Sequence, residues 1–232
     1  MAVRHEIKSQ LAKLLATEDL IVEHRKVETA SFNVQTRVLV LPQWERASST
    51  VYDLLVGHEV GHALYTPDEN WIKYKKIPPQ FVNVVEDARI EKLMKRKYAG
   101  LSKTFYRGYK ELNDEDFFAI SDSDVTDFNL ADRANLHFKV GNFLDLSFTA
   151  EESEIIKMID DCETFEDTLA AAEALYKYCK QQLEKSKTQP EVPQNDGNTE
   201  GDVEETEQGE SEQKESETQM SDGDDGGVSD VD

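Results

Sequence analysis

Residues 51–65 constrain the fold most, because almost all of them are apolar. A mostly apolar run of this length predicts a helix, and a helix that is apolar on nearly every side must be surrounded by the rest of the chain. The serines and threonine at 48–50 are N-cap candidates before it, and residues 66–68 (Thr-Pro-Asp) end it. The sequence therefore predicts one buried helix at the centre of the domain.

Two histidines and a glutamate interrupt this apolar run in the order His58, Glu59, Val60, Gly61, His62. Positions i and i+4 of a helix lie on one face, so both imidazoles can converge on a single ion. Catalytic zinc takes such nitrogen ligands, and an acid beside the ion can accept a proton from water. The HExxH pattern predicts His58 and His62 as zinc ligands and Glu59 as the general base.

A third ligand is needed, because catalytic zinc sites normally have three protein ligands and one open position. The next helix is predicted over residues 80–98, with Pro79 in its first turn. Glu86 lies there on an apolar stripe with Val82, Ile90 and Leu93. A buried acid on such a stripe is costly unless something neutralises it, and a metal ion would do so. We therefore prefer Glu86 as the third ligand.

Two other carboxylates stay open as the third ligand. Asp87 lies on a separate polar stripe with Glu91, which could then hydrogen-bond a ligand histidine. Asp68 follows His62 by six residues, the place of the third ligand in HExxHxxGxxH enzymes. Tyr65 replaces the glycine of that pattern, so the sharp turn it requires is difficult.

The remaining pattern predicts an α+β fold that is mostly helical. Strands are predicted at 21–27 and 30–42 as antiparallel neighbours, because β-branched residues alternate there. Thr149 and Glu152 form a capping-box pattern. Further helices are predicted at 6–17, 101–112, 130–144, 149–161 and 164–187, with a break near Gly141 as an alternative end of the third.

Charge divides the chain into two parts. Residues 190–232 carry 16 acidic side chains and one lysine, Lys214, and hold most of the net charge of −22. They contain no aromatic residue, so they cannot bury enough apolar surface to fold, and we expect a disordered acidic tail after a domain at 1–189. The negative charge argues against nucleic acid or an anionic membrane as a partner.

Two cysteines without CxxC spacing, Cys162 and Cys179, indicate a reducing compartment. No signal peptide is evident, and no stretch approaches the length that spans a membrane. We expect a cytoplasmic protein.

Residues 57–64 (GHEVGHAL) and 83–91 (NVVEDARIE) together resemble the gluzincin class of zinc metallopeptidases. More narrowly, they resemble a metallopeptidase-like module of phage and bacterial proteins, related to the CobT subunit of cobaltochelatase. The similarity is clearest over residues 30–110. It implies a zincin-like domain, a zinc cofactor held by His58, His62 and Glu86, Glu59 as catalytic acid/base, and a protein or peptide substrate. A phage protein of this kind would act in the host cytoplasm.

Related proteins often continue past an acidic linker into a von Willebrand A domain with a DxSxS loop, and this sequence contains no such loop. The resemblance therefore implies a von Willebrand A protein or a ring ATPase as a partner. The alternative function is a catalytically silent, peptidase-like binding or assembly module.

Several smaller hypotheses accompany the zinc site. His137, Tyr65, Tyr74 and Tyr106 are candidates to stabilise an oxyanion, although each residue type more often packs in a core. The strand at 38–41 could accept an extended peptide if it lies at a sheet edge. Two histidines and a carboxylate would also suit mononuclear iron.

Overall fold

Seven α-helices and a three-stranded sheet make up the part of the chain that this computed structural model describes, residues 4–45, 47–68 and 76–188. The strands are β1 (Ile21–Arg25), β2 (Ser31–Asn33) and β3 (Val38–Pro42). The helices are α1 (His5–Ala16), α2 (Ser49–Tyr65), α3 (Pro79–Lys97), α4 (Ala99–Asp114), α5 (Leu130–Val140), α6 (Ala150–Asp160) and α7 (Phe165–Thr188). The predicted α+β, mostly helical class is confirmed.

The described residues belong to one unit, Met1–Gln189. The acidic segment 190–232, predicted to be disordered, lies outside the described residues. Within the described ranges, no helix is both long enough and apolar enough to cross a membrane.

Helix α2 is the buried central helix that the apolar run predicts. The Ser48 hydroxyl accepts hydrogen bonds from the backbone N–H groups of Thr50 and Val51, which caps the first turn. Helices α1, α3 and α4 and strands β2 and β3 pack around α2. Leu54, Val56 and Val60 are fully buried as a result.

The sheet differs from the prediction in two respects. The single strand expected at 30–42 is a β2–β3 hairpin, because the Asn33 side chain accepts hydrogen bonds from the backbone of Gln35 and Thr36 and turns the chain. Strand β1 pairs with β3 in parallel, so the sheet is mixed rather than antiparallel. In the order β1-β3-β2 the 38–41 segment is central, which corrects the hypothesis that it forms a peptide-binding edge.

Helix α3 comes close to α2 at Gly61, between the two histidines. A Cβ atom at this position would lie 3.0 Å from the Ile90 Cδ1 atom, closer than ordinary packing allows. Glycine therefore lets the two helices approach, and it brings the middle of α3 opposite the two imidazoles.

The core consists of two apolar clusters that meet at this helix pair. The first joins α1, α2, α4, the sheet and the end of α5, and the second joins α3, the start of α5, α6 and α7. Helix α3 contributes Met94 to the first cluster and Val82 and Val85 to the second. The polar residues of α2 and α3 are thus enclosed where the two clusters join.

The later helices begin and end near their predicted positions. Thr149 and Glu152 form the predicted capping box at the start of α6. Helix α5 ends at Val140 with Gly141 as its C-cap, which is the alternative end near Gly141 that the sequence left open for this helix.

Candidate metal centre

The two histidines of α2 point their Nε2 atoms at one carboxylate oxygen on α3. The Oδ1 atom of Asp87 lies 3.6 Å from Nε2 of His58 and 3.3 Å from Nε2 of His62. Among the described residues, these three side chains form the group of histidines, cysteines and acids able to hold a metal ion.

The two Nε2–Oδ1 distances fit a tetrahedral metal ion, and all three atoms lie within 4.8 Å of one another. Ligand atoms about 2.0–2.1 Å from a tetrahedral zinc lie about 3.3–3.4 Å from one another. The observed distances of 3.3 and 3.6 Å are close to that edge length. Two imidazoles and a carboxylate suit zinc, although they also suit other first-row metals. Three protein ligands leave a fourth position for water.

Glu91 fixes the orientation of His58. The Nδ1–H group of His58 donates a hydrogen bond of 3.0 Å to the Glu91 Oε1 atom. The Tyr109 hydroxyl donates to the same oxygen, and the Lys95 ammonium lies 3.1 Å from the other one. With its proton on Nδ1, a neutral His58 presents the lone pair of Nε2 to an ion.

Thr66 fixes His62 in the same way. The Thr66 hydroxyl donates its single proton to the Glu86 Oε1 atom at 2.6 Å. It must therefore accept the hydrogen bond of 2.9 Å from Nδ1 of His62. His62 then also carries its proton on Nδ1 and presents Nε2 to the shared position.

Lys139, in the last turn of α5, holds the outer oxygen of Asp87. Its ammonium group donates a hydrogen bond of 2.8 Å to Oδ2, on the side away from the imidazoles. Burial raises the pKa of Asp87, but Lys139 and the two histidines outweigh it and hold that pKa well below its ordinary value. Asp87 is therefore an anion that offers Oδ1 to the candidate centre.

His58 is strongly basic when no metal is bound. Burial lowers its pKa, but the carboxylates of Asp87, Glu91 and Glu59 outweigh this effect and raise it from 6.5 to about 9. A proton then occupies the nitrogen that a metal would take. Metal ions and protons therefore compete for this side chain.

Glu59 shares the site with the two histidines. Its residue is only 6 % exposed, and its carboxylate interacts electrostatically with both imidazoles and with Asp87. Burial raises the pKa of Glu59, although the imidazoles oppose the rise. A carboxylate with a raised pKa is a stronger base, as the predicted role requires.

Glu86, the preferred third ligand in the sequence, does not face the histidines. Its carboxylate accepts hydrogen bonds from Arg89 at 2.6 and 2.8 Å, from Thr66 at 2.6 Å and from Thr168 at 3.0 Å. The geometry thus corrects the expectation in favour of Asp87, with Glu91 bonded to a ligand histidine. Glu86 is buried as predicted, but an arginine neutralises its charge.

The other predicted site residues lie apart from this centre. Asp68 is exposed at the end of α2 and does not join the cluster. His137 packs its ring against Phe138 and Phe148. The Tyr106 ring packs against Phe143 in a tilted arrangement, and Tyr74 lies outside the described residues.

Sequence reasoning missed three residues of the site, Thr66, Tyr109 and Lys139, and no signal in the sequence identifies the last two. Lys139 is separated from Asp87 by 52 positions, and Tyr109 from Glu91 by 18. Thr66 lies one turn after His62, so helical spacing alone could have suggested it as a partner of that ring.

Comparisons with family models, curated proteins and solved structures found no match. The resemblance to zinc peptidases therefore stays a prediction from the sequence.

Proposed function

We propose that this chain is a zinc-dependent peptidase in which His58, His62 and Asp87 hold the ion and Glu59 is the general base. The proposal rests on one observation. The Nε2 atoms of His58 and His62 lie 3.6 and 3.3 Å from the same oxygen, Oδ1 of Asp87. Because Asp87 takes the place of a glutamate, the site departs from the gluzincin pattern that the sequence resembles.

A zinc ion in such a site supplies Lewis acidity, which polarises a carbonyl group and makes water acidic enough to lose a proton near neutral pH. Glu59 accepts that proton and later delivers it to the nitrogen of the departing amine. Glu91 and Thr66 keep the Nδ1 protons of the two histidines away from the ion. His58 and His62 thereby hold one geometry throughout the reaction.

The three side chains that would hold the ion are partly buried but still reached by solvent. The side chains of His58, His62 and Asp87 are 15 %, 21 % and 17 % exposed, so solvent reaches them from one side. The remaining sides are packed against the helices around them. Charges act more strongly in such a partly dry environment, which favours both metal binding and proton transfer by Glu59.

The test is Glu59→Gln, which keeps the size of the side chain and removes its basicity. We expect the zinc content to stay at one ion per chain and hydrolysis of fluorescein-labelled casein and internally quenched peptides to fall about 10²- to 10⁴-fold. Glu154→Gln, on the exposed surface of α6, is the matched control and should behave like the unchanged protein.

Equal hydrolysis by the Glu59→Gln variant and the unchanged protein would contradict the role of Glu59. Zinc binding without hydrolysis of either substrate by the unchanged protein would overturn the peptidase proposal. That result would favour the peptidase-like assembly module instead.

A further inference from the structure

We propose that Lys139 is a positioning residue of the metal centre, which binds Oδ2 of Asp87 so that only Oδ1 is available to the ion. This inference rests on the proposed metal-dependent function. It assigns to Lys139 the task of keeping one coordination position free for water.

The contact geometry separates the two oxygens of Asp87. Oδ1 faces Nε2 of both histidines at 3.3 and 3.6 Å, whereas Oδ2 lies 2.8 Å from the Lys139 ammonium. A carboxylate whose second oxygen is engaged by an ammonium group binds an ion through one oxygen. Without that ammonium group, both oxygens of Asp87 could turn to the ion and fill the position that the water needs.

The presence of a lysine here is otherwise unfavourable. The Lys139 side chain is only 18 % exposed, so its charge has lost much of its hydration. A positive charge next to a bound dication also repels it. Lys139 therefore lowers the affinity of the centre for metal, which a site selected only for tight binding would avoid.

Loss of the Lys139 charge should change metal affinity and turnover in opposite directions. Replacing Lys139 by an uncharged residue removes the repulsion and frees Oδ2, so the ion binds more tightly. The same change crowds the open position and reduces the electrophilicity of the ion, so turnover falls. A lysine that only stabilises the fold would give losses in both quantities.

The experiment compares Lys139→Met with Lys139→Arg in the full chain. Methionine has a similar length without charge, and arginine keeps the cation. Lys139 lines a cavity of about 210 Å³ with Tyr109 and Phe138, which gives the larger guanidinium space. We measure the Kd for Zn²⁺ by chelator competition, the visible absorption of the Co²⁺-loaded protein, and hydrolysis of labelled casein.

For Lys139→Met we expect a Kd for zinc about tenfold lower and turnover about 10- to 100-fold lower. We also expect a weaker Co²⁺ absorption band, because five-coordinate cobalt absorbs less than four-coordinate cobalt. Lys139→Arg should restore the affinity and the spectrum of the unchanged protein.

Lys92→Met is the control for charge alone, since Lys92 is similarly buried on α3 and pairs with Glu163, which lies outside the metal centre. It should leave the Co²⁺ spectrum unchanged. An unchanged spectrum and Kd in Lys139→Met, or equal effects of Lys139→Met and Lys92→Met, would overturn the inference.

Failure of the proposed function gives a different pattern. If the unchanged protein binds metal but hydrolyses neither substrate, the spectrum and the Kd of Lys139→Met still decide the role of Lys139. If the unchanged protein is an active enzyme and Lys139→Met matches it in all three measurements, only the role of Lys139 is lost. A chain that binds neither Zn²⁺ nor Co²⁺ would overturn both.

Discussion

Two adjacent carboxylates of α3, Glu86 and Asp87, lie in polar regions of opposite character. Glu86 is surrounded by Arg89, Thr66 and Thr168, which together fill both of its oxygens with donors. Asp87 meets one ammonium group on Oδ2 and leaves Oδ1 facing two imidazoles. Glu86 is therefore fully paired within the protein, whereas Asp87 has one oxygen that can still bind a cation.

Burial alone therefore does not identify a metal ligand. Glu86 is 3 % exposed and thus more buried than Asp87, yet a fixed cation already balances it. The feature that marks a ligand is an oxygen directed at other donor atoms. Thr66 joins the two regions, because its hydroxyl touches both Glu86 and His62.

The largest expected effect is on zinc affinity, which Asp87→Asn should reduce far more than Glu86→Gln. Asp87→Asn should weaken zinc binding by more than about 100-fold, because the charged ligand is lost. Glu86→Gln should destabilise the metal-free protein by about 3–5 kcal/mol, since Arg89 is left buried without its carboxylate. Its zinc affinity should change by less than about tenfold. Chelator competition gives the affinities, and urea unfolding gives the stabilities.

Asp87→Asn also costs stability, because Lys139 loses its partner, so zinc affinity is the measurement that separates the two variants. Loss of zinc binding in Glu86→Gln with retention in Asp87→Asn would reverse the comparison. It would restore Glu86 as the ligand.

A second prediction concerns the pH dependence of the metal-free protein. The pKa of His58 is raised from 6.5 to about 9 in the folded state. Its contribution to stability is therefore fully present below pH 6.5 and is lost as the pH rises through about 9. The loss should be on the order of 3 kcal/mol in urea unfolding of EDTA-treated protein.

His58→Gln removes this titration and is the control. Zinc affinity of the unchanged protein should increase over the same pH range, because each bound ion must displace the His58 proton. A metal-free protein whose stability is constant between pH 6.5 and 9 would show that the nearby carboxylates do not hold that proton.

The smallest expected effect compares two threonines that both donate to Glu86. Thr168→Val should cost about 1.5–3 kcal/mol of stability, the value of a buried hydrogen bond to a charged group, and leave zinc affinity unchanged. Thr66→Val should cost a similar amount and also weaken zinc binding about tenfold, because His62 loses its orienting partner. Equal zinc affinities in the two variants would disprove the link between Thr66 and the metal centre.

Much of the fold follows from local sequence patterns. The apolar run at 51–65 requires a surrounded helix, and Ser48 and Thr149 mark helix starts through side-chain caps. The sheet was harder to predict, because the break between β2 and β3 depends on the Asn33 side chain, and the parallel pairing of β1 depends on packing across the chain.

The sequence predicts the part of the candidate site whose residues lie within one turn of a single helix. His58, Glu59 and His62 follow from i, i+4 spacing, but the third ligand depends on which face of α3 meets α2. Helix α3 is buried on several sides, so its apolar stripe did not show which face that is. Arg89 pairs with Glu86 at the i, i+3 spacing and so occupies that carboxylate, which leaves Asp87 to face the imidazoles.

The most direct test of the central claim is anomalous diffraction at the zinc edge from a crystal of the full chain grown with zinc. We expect one peak at about 2.0–2.2 Å from Nε2 of His58, Nε2 of His62 and Oδ1 of Asp87. A peak that is bound by Glu86, or the absence of any peak between α2 and α3, would contradict it.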